Sequence, residues 1–241
     1  MTNNLGVIIL AAGKGTRMNS DIPKVLHLID DKPMITKVLQ SAYKINADPI
    51  ITIVGYKAEL VKETLKDETT EFILQKKQNG TAHAVIQCID RLKKFKGNLL
   101  VLSGDVPFIS ADTLDELIQA HIGSNAKATV LTCRLDNPYG YGRIIKNKDN
   151  SLKKIVEHKD ADKFELKENE INTGIYIFDS AKLFEILPKI NNNNNQKEYY
   201  LIDVLNILLD NNYSVFTNET LNINEIIGIN TINQLKKATD G

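Results

Sequence analysis

Between residues 10 and 26 the chain reads LAAGKGTRMNSDIPKVL, a stretch with two glycines, Gly13 and Gly15, and three cations, Lys14, Arg17 and Lys24. Glycines let backbone N–H groups approach an anion closely, and cations neutralise its charge, so the pattern reads as a phosphate-binding loop. Two standard phosphate signatures fail here. Met18 stands where a dinucleotide fingerprint has its third glycine, and Lys14 is followed by Gly15 where a Walker loop has Ser or Thr. In a dinucleotide fold a helix starts directly after the glycines, whereas the next helical face begins only near Pro33. A surface loop that merely happens to be basic is the plain alternative. The glycine pair, the cations and the position after an apolar run together favour phosphate binding.

A loop of this kind needs a strand that ends beneath it. Short apolar runs predict strands at Gly6–Leu10, Ile50–Val54, Phe72–Gln75 and Leu99–Ser103, apolar on both faces. Between them, Met34, Ile35, Val38, Leu39, Ala42 and Ile45 mark one helical face, and Ala82, Val85, Ile86, Ile89 and Leu92 mark another. This alternation predicts an α/β fold with a Rossmann-like, mixed but mainly parallel sheet flanked by helices. The loop then lies at the carboxyl end of the first strand, where open α/β sheets bind ligands. After a further helix over Ser110–Ile122, shorter strands are expected at Ala128–Cys133, Gly142–Ile145, Leu152–Glu157 and Gly174–Phe178. They read as a smaller mixed-sheet half packed on the first, because no Gly/Ser/Pro linker divides the two. The expected organisation is one domain over 1–241. Its first half spans about 1–123, its second about 124–230, and a C-terminal helix starts over 231–241. The run Asn191–Asn195 reads as a polar surface loop.

Composition limits the partners. Of 241 residues, 42% are hydrophobic and 25% charged, and 30 basic residues balance 30 acidic ones, which argues against a general nucleic-acid or acidic-membrane surface. Anion binding must therefore be local. No stretch approaches the ~18 uninterrupted apolar residues of a membrane span, and the N-terminus lacks the pattern of a secretory leader. Cys88 and Cys133 lie far apart in apolar contexts and read as reduced core thiols. A cytoplasmic protein is expected.

Residues 10–18 and Pro23-Lys24-Val25-Leu26 resemble the signature of the sugar-1-phosphate nucleotidyltransferases. Within them the chain is most similar to the uridyltransferase half of the bacterial bifunctional uridyltransferase/acetyltransferase enzymes. The resemblance continues through Gln75-x-x-Gln78-x-Gly80-Thr81-Ala82-His83-Ala84, Gly104-Asp105-Val106-Pro107 and Gly140-Tyr141-Gly142-Arg143-Ile144. It then runs through Ile155-Val156-Glu157-His158, Ile171-Asn172-Thr173-Gly174, Glu198-Tyr199-Tyr200 and Gly228-Ile229-Asn230, in the family's order along nearly the whole chain.

The resemblance implies attack of an N-acetylglucosamine-1-phosphate oxygen on the α-phosphorus of UTP, with Mg²⁺ as cofactor and pyrophosphate as leaving group. Arg17 and Lys24 match the family's catalytic cations. Leu10, Ala11, Ala12, Gly13, Gly15, Gln75, Gly80 and Thr81 match its nucleotide site, and Gly142, Glu157, Asn172 and Thr173 its sugar site. Asp105 and Asn230 match its metal ligands, and a hard oxygen donor is what Mg²⁺ prefers. The attacking phosphate is already anionic near neutral pH, so no general base is needed. His83 lies in a family block but reads as a structural histidine.

Ser103, Asn79 and Ile202 depart from the family pattern. No hexapeptide-repeat acetyltransferase domain is legible, and oligomeric state stays open. Three rival readings remain: transfer to glucose-1-phosphate or N-acetylgalactosamine-1-phosphate, a catalytically silent regulatory module of the same fold, and a dinucleotide-dependent dehydrogenase.

Overall fold

The apolar runs pair edge to edge at the centre of a computed structural model that describes residues 4–239. The strands are β1 (Leu5–Ala11), β2 (Leu28–Ile29), β3 (Lys32–Pro33), β4 (Ile50–Val54), β5 (Glu71–Leu74), β6 (Asn98–Ser103), β7 (Ala128–Arg134), β8 (Gly142–Lys146), β9 (Leu152–Val156), β10 (Glu170–Asp179) and β11 (Val215–Glu219). One sheet runs β11-β7-β10-β6-β1-β4-β5, with β8 and β9 branching from β10, and β2 pairs with β3 separately. β5, β4, β1 and β6 are parallel, and β10 runs antiparallel to β6, β7 and β8. The expected mixed α/β sheet is thus present: an all-parallel half meets a mixed half along β6 and β10, with β11 parallel to β7 at the edge.

Alternation along β1 shows how both faces are covered. Val7, Ile9 and Ala11 join one apolar cluster with Ile35, Val38 and Leu39 of the helix Met34–Lys44 and Leu114 and Leu117 of the helix Ala111–Ser124. Ile8 and Ala12 face the other cluster, with Val85, Leu183, Leu205 and Leu208. Each fully buried aliphatic side chain contributes about 1.5–3 kcal/mol, so the two clusters hold the helices on the sheet. The helix Ala111–Ser124 begins where Ser110 Oγ accepts from the Thr113 N–H at 3.1 Å and ends at Asn125 in the left-handed conformation. Cys133 lies in the first cluster and Cys88 in the second, both buried as free thiols on opposite faces. Burial pushes each up to about 12.

Several boundaries differ from the sequence reading. The strand expected at Phe72–Gln75 starts one residue earlier, and as an edge strand paired only with β4 it is half-exposed, not apolar on both faces. Gln75 therefore lies just past its end. The helical face from Ala82 to Leu92 is split into two helices, Thr81–Ile86 and Ile89–Leu92. Gly174–Phe178 is the second part of the longer β10, and Glu157 lies one residue beyond β9. The C-terminal helix spans Ile232–Thr239. Residues 240 and 241 of the expected helix lie outside the described residues. No helix among the described residues is long and apolar enough to cross a membrane.

Candidate active site

β1 and β6 are neighbours in register, and both end at one crevice, where β1 runs into the glycine loop and β6 into Gly104-Asp105. Two turns of 3₁₀ helix, Thr16–Met18 and Lys24–Leu26, shape the loop. Gly15 has φ +66°, and a Cβ there would lie 2.5 Å from Lys24 Cβ, so only glycine lets the loop close over the Lys24 stem. Lys24 Nζ pairs with the Asp105 carboxylate and donates to Asn230 Oδ1 at 3.0 Å. Arg17 Nη2 donates to the same Asn230 oxygen at 2.9 Å. Residues 81 and 213 positions apart in sequence thus meet at one point. Lys14 is not among them and lies over the Tyr56 ring, 5.5 Å from its centroid.

Asn230 is held by its own neighbours. Its Nδ2 donates to the Gly228 carbonyl at 3.1 Å, its N–H donates to Gln234 Oε1 at 2.8 Å, and the Ile229 N–H donates to the Asp105 carbonyl at 2.9 Å. These bonds turn Oδ1 toward the cations and tie the Asp105 and Asn230 turns together. A carboxylate oxygen and an amide oxygen therefore converge on one positive group, the Lys24 ammonium. That donor set suits a hard divalent cation, with a substrate phosphate and water completing its shell. The described residues contain no group of three or more His, Cys, Asp or Glu able to hold a metal by themselves.

Two cavities adjoin at this point. One, of about 330 Å³, is lined by Ala12, Gly13, Lys24, Gln75 and Gly80, and the other, of about 210 Å³, by Gly142, Glu157, Asn172 and Thr173. Leu10, Thr81, Ser103 and Asp105 line both and form the shared wall, and Ala11 lines the first. Larger hollows of about 740 and 660 Å³ lie beside Phe108 and Tyr43, and neither is lined by Lys24, Asp105 or Asn230.

In the first cavity, Gly80 has φ +110°, and any side chain there would meet the Tyr199 carbonyl at 2.5 Å. The turn packs on the segment Glu198–Leu201, whose Leu201 N–H donates to Thr81 Oγ1 at 2.9 Å. Gln75 is buried, and its Nε2 donates to the Gly80 carbonyl at 3.1 Å. In the second cavity, Asn172 Oδ1 accepts from the Gly174 N–H at 3.1 Å, and Nδ2 donates to the Tyr176 hydroxyl at 2.7 Å. The Thr173 hydroxyl donates to the Leu131 carbonyl at 2.7 Å and accepts from the Ile175 N–H at 3.3 Å. Thr173 thus lines the cavity with its hydroxyl engaged by backbone. A Cβ on Gly142 would press on Asn172 at 3.3 Å.

Glu157 is a strongly perturbed carboxyl of the second cavity. Burial, reinforced by the nearby Asp160, Asp203 and Glu198 carboxylates, pushes it up to about 7. Asp203 is raised to about 6 by burial and Asp160. Among the described residues no side-chain hydrogen bond holds the Glu157 carboxylate, which leaves it free to accept from a ligand.

Gln78, Glu198, Tyr141 and Tyr176 also line the two cavities and were not singled out as site residues from sequence. Gln78 and Glu198 were visible as polar members of the motif blocks, whereas Tyr176 had no signal beyond its strand. Of the departures, Ser103 and Ile202 line the second cavity, while the Asn79 side chain is exposed and only its carbonyl engages Tyr199 N–H, at 2.8 Å.

A family model described as Nucleotidyl transferase matches residues 6–221. The chain is 48% identical over 230 residues to the bifunctional protein GlmU of Streptococcus uberis, which covers 95% of this chain and 50% of that protein. It is 46% identical over 231 residues to GlmU of Staphylococcus carnosus, covering 96% and 51%. The chain spans about half the length of the curated relatives it matches. Among solved structures, a putative glucose-1-phosphate thymidylyltransferase from Bacillus anthracis superposes with a TM-score of 0.79 at 22% identity, over 98% of this chain and 94% of that one. A UDP-glucose pyrophosphorylase complexed with UDP-glucose gives 0.79 at 18%, over 98% and 97%.

Proposed function

The chain belongs to the nucleotidyl transferase family, and on that footing we propose that it transfers a uridylyl group from UTP to N-acetylglucosamine-1-phosphate, yielding UDP-N-acetylglucosamine and pyrophosphate. One observation carries the reading: two cavities share a wall at Asp105, and the Arg17–Lys24–Asn230 cluster stands at their junction. In this reading the first cavity takes the nucleotide, against Leu10, Ala11, Ala12, Gly13, Gln75, Gly80 and Thr81, while Gly15 does not line it and acts by letting the loop close over Lys24. The second takes the sugar, against Gly142, Glu157, Asn172 and Thr173.

An oxygen of the sugar phosphate attacks the α-phosphorus, a new P–O bond forms, and the bond to the bridging oxygen of pyrophosphate breaks. The nucleophile is an anion near neutral pH, so no side chain must remove a proton. What the protein supplies is alignment of two polyanions and neutralisation of the charge between them. Arg17 can bind phosphate oxygens through two N–H groups, whereas Lys24 acts as a mobile point charge. Asp105 and Asn230 would hold Mg²⁺, which would supply neutralisation of phosphate charge. The Asn172 amide and Glu157 carboxylate receive the acetamido and hydroxyl groups. We assign both halves, about 1–123 and 124–230, to one nucleotidyltransferase domain acting on soluble substrates in the cytoplasm, a step toward cell-wall precursors.

Pyrophosphate release, measured with a panel of nucleotides and sugar phosphates and with Mg²⁺ against other divalent ions, tests the reading. UTP with N-acetylglucosamine-1-phosphate is expected to be the preferred pair. Leaving buried polar groups unpaired should disfavour a sugar without the acetamido group by about 2–5 kcal/mol. Equal turnover of glucose-1-phosphate would overturn the sugar assignment, and faster reaction with CTP or TTP would overturn the uridylyl one.

A further inference from the structure

Gln75 is 3% exposed, and its two amide ends are unequal. Nε2 is 3.1 Å from the Gly80 carbonyl and 3.0 Å from His83 Nδ1. A carbonyl oxygen can only accept, so the amide atom facing Gly80 must be nitrogen, and the choice between the two orientations of the side chain follows from chemistry. The same nitrogen faces His83. Nε2 of Gln75 is a donor, and its 3.0 Å contact is the shorter of the two that the ring makes, so Nδ1 accepts and the ring proton lies on Nε2; the Gln87 amide nitrogen, 3.5 Å from that Nε2, gives its own hydrogen bond to the His83 carbonyl at 3.0 Å. Both protons of the Gln75 amide are then taken up by protein. Oε1 remains, with no hydrogen-bond partner among the described residues, on a side chain that lines the first cavity.

We propose that His83, together with the Gly80 carbonyl, fixes the polarity of the Gln75 amide and so makes the first cavity select a base with a ring N–H, uracil over cytosine. This rests on the reading that the first cavity holds the nucleotide base. Uracil carries a proton on N3 and can donate to Oε1. Cytosine presents a lone pair at the same ring position and would set two acceptors against each other. If the amide were free to turn, Nε2 could face the cavity and serve cytosine equally well. A glutamine alone is therefore an indifferent reader, and its selectivity comes from the two acceptors behind it. The backbone supports both: the Gly80 conformation, open only to glycine because of Tyr199, aims the carbonyl, and the helix that starts at Thr81 brings His83 to the same amide. His83 acts through Gln75 and is a positioning residue.

The test compares the wild type with His83→Leu, which removes the acceptor at similar bulk, and with His83→Asn, whose Oδ1 stands as far along the side chain as Nδ1. The UTP-to-CTP ratio of kcat/KM, with N-acetylglucosamine-1-phosphate as acceptor, should fall about fivefold or more in His83→Leu and stay within about twofold of wild type in His83→Asn. The loss should fall mainly on the KM for UTP. Long-range ¹H–¹⁵N spectra of the wild type should show His83 Nδ1 without a proton, a readout that does not depend on any variant folding. A wild type that prefers UTP, with the ratio unchanged in His83→Leu or the His83 proton on Nδ1, overturns the role of His83 and leaves the uridylyl reading intact. A wild type without preference for UTP overturns the uridylyl reading itself.

Discussion

Replacing Glu157 by glutamine should make the folded protein more stable and the sugar site worse, and the pH dependence separates the two effects. Glu157 lies among Asp160, Asp203 and Glu198 and is lifted from 4.5 to about 7, chiefly by burial. A carboxyl with a raised folded-state pKa stabilises the fold fully below its unfolded value and loses that contribution as pH rises through the folded value. At about 1.4 kcal/mol per pH unit the window from 4.5 to 7 corresponds to roughly 3 kcal/mol. Glutamine has the same shape and no proton to lose. The stability difference between Glu157→Gln and wild type should therefore be small at pH 5 and reach about 2–3 kcal/mol in favour of the variant at pH 8. For a chain of this size that is about 5–10 °C in Tm. Urea unfolding of both proteins across pH 5 to 8 measures it. In parallel, the wild-type KM for the sugar phosphate should fall as pH rises through about 7, because the ionised carboxylate is the stronger acceptor, and the variant should show a higher, flat KM. Parallel stability curves for the two proteins would refute the placement of Glu157 as a strained carboxyl.

Two further substitutions probe the junction. Asp105→Ala should lower kcat by at least about 100-fold, the several kcal/mol expected when a metal's protein anchor is lost, with Tm nearly unchanged because no core volume is removed; a wild-type rate at saturating Mg²⁺ would take Asp105 out of the site. Gly15→Ala should lower stability by about 1–3 kcal/mol through its left-handed backbone and also reduce turnover, since the new Cβ meets Lys24; urea unfolding and steady-state kinetics check both, and unchanged values would show that Lys24 does not need the close approach.

The glycine-rich loop is legible as a candidate phosphate site because its pattern is local: glycines and cations crowd into one segment at the end of an apolar strand. The central strands were legible for a similar reason, since β1, β4 and β6 are buried on both faces and read as unbroken apolar runs. β11 was not, because Val215–Glu219 carries Thr217, Asn218 and Glu219 at an exposed sheet edge, where burial imposes little pattern. The break between the helices Thr81–Ile86 and Ile89–Leu92 has no glycine or proline to announce it. Asn230 had no signal of its own, and only family resemblance linked it to Arg17 across the length of the chain. The orientation of the Gln75 amide was wholly hidden. It depends on a carbonyl direction and a tautomer, neither of which residue type or spacing encodes.

The strand β10 sets a distance. It pairs with β6 at Tyr176↔Val101 and with β7 on its other side, and between Asn172 and Tyr176 it advances four residues while β7 advances two. Gly174, at φ +80°, lies inside that excess, and Asn172 and Thr173 lie at its far end beside the second cavity. The gap between the two cavities is therefore gauged by ladder rungs between adjacent strands. A slip of two residues would move the sugar side by about 7 Å relative to Asp105, further than the reach of any phosphate oxygen. The irregular segment acts like the vernier on a fixed scale: the ladder sets the coarse separation, and the extra residues bring Asn172 to its final height. Sequence changes at residues 174 and 175 should thus alter how closely acceptor and donor approach while leaving the polar groups of each cavity in place.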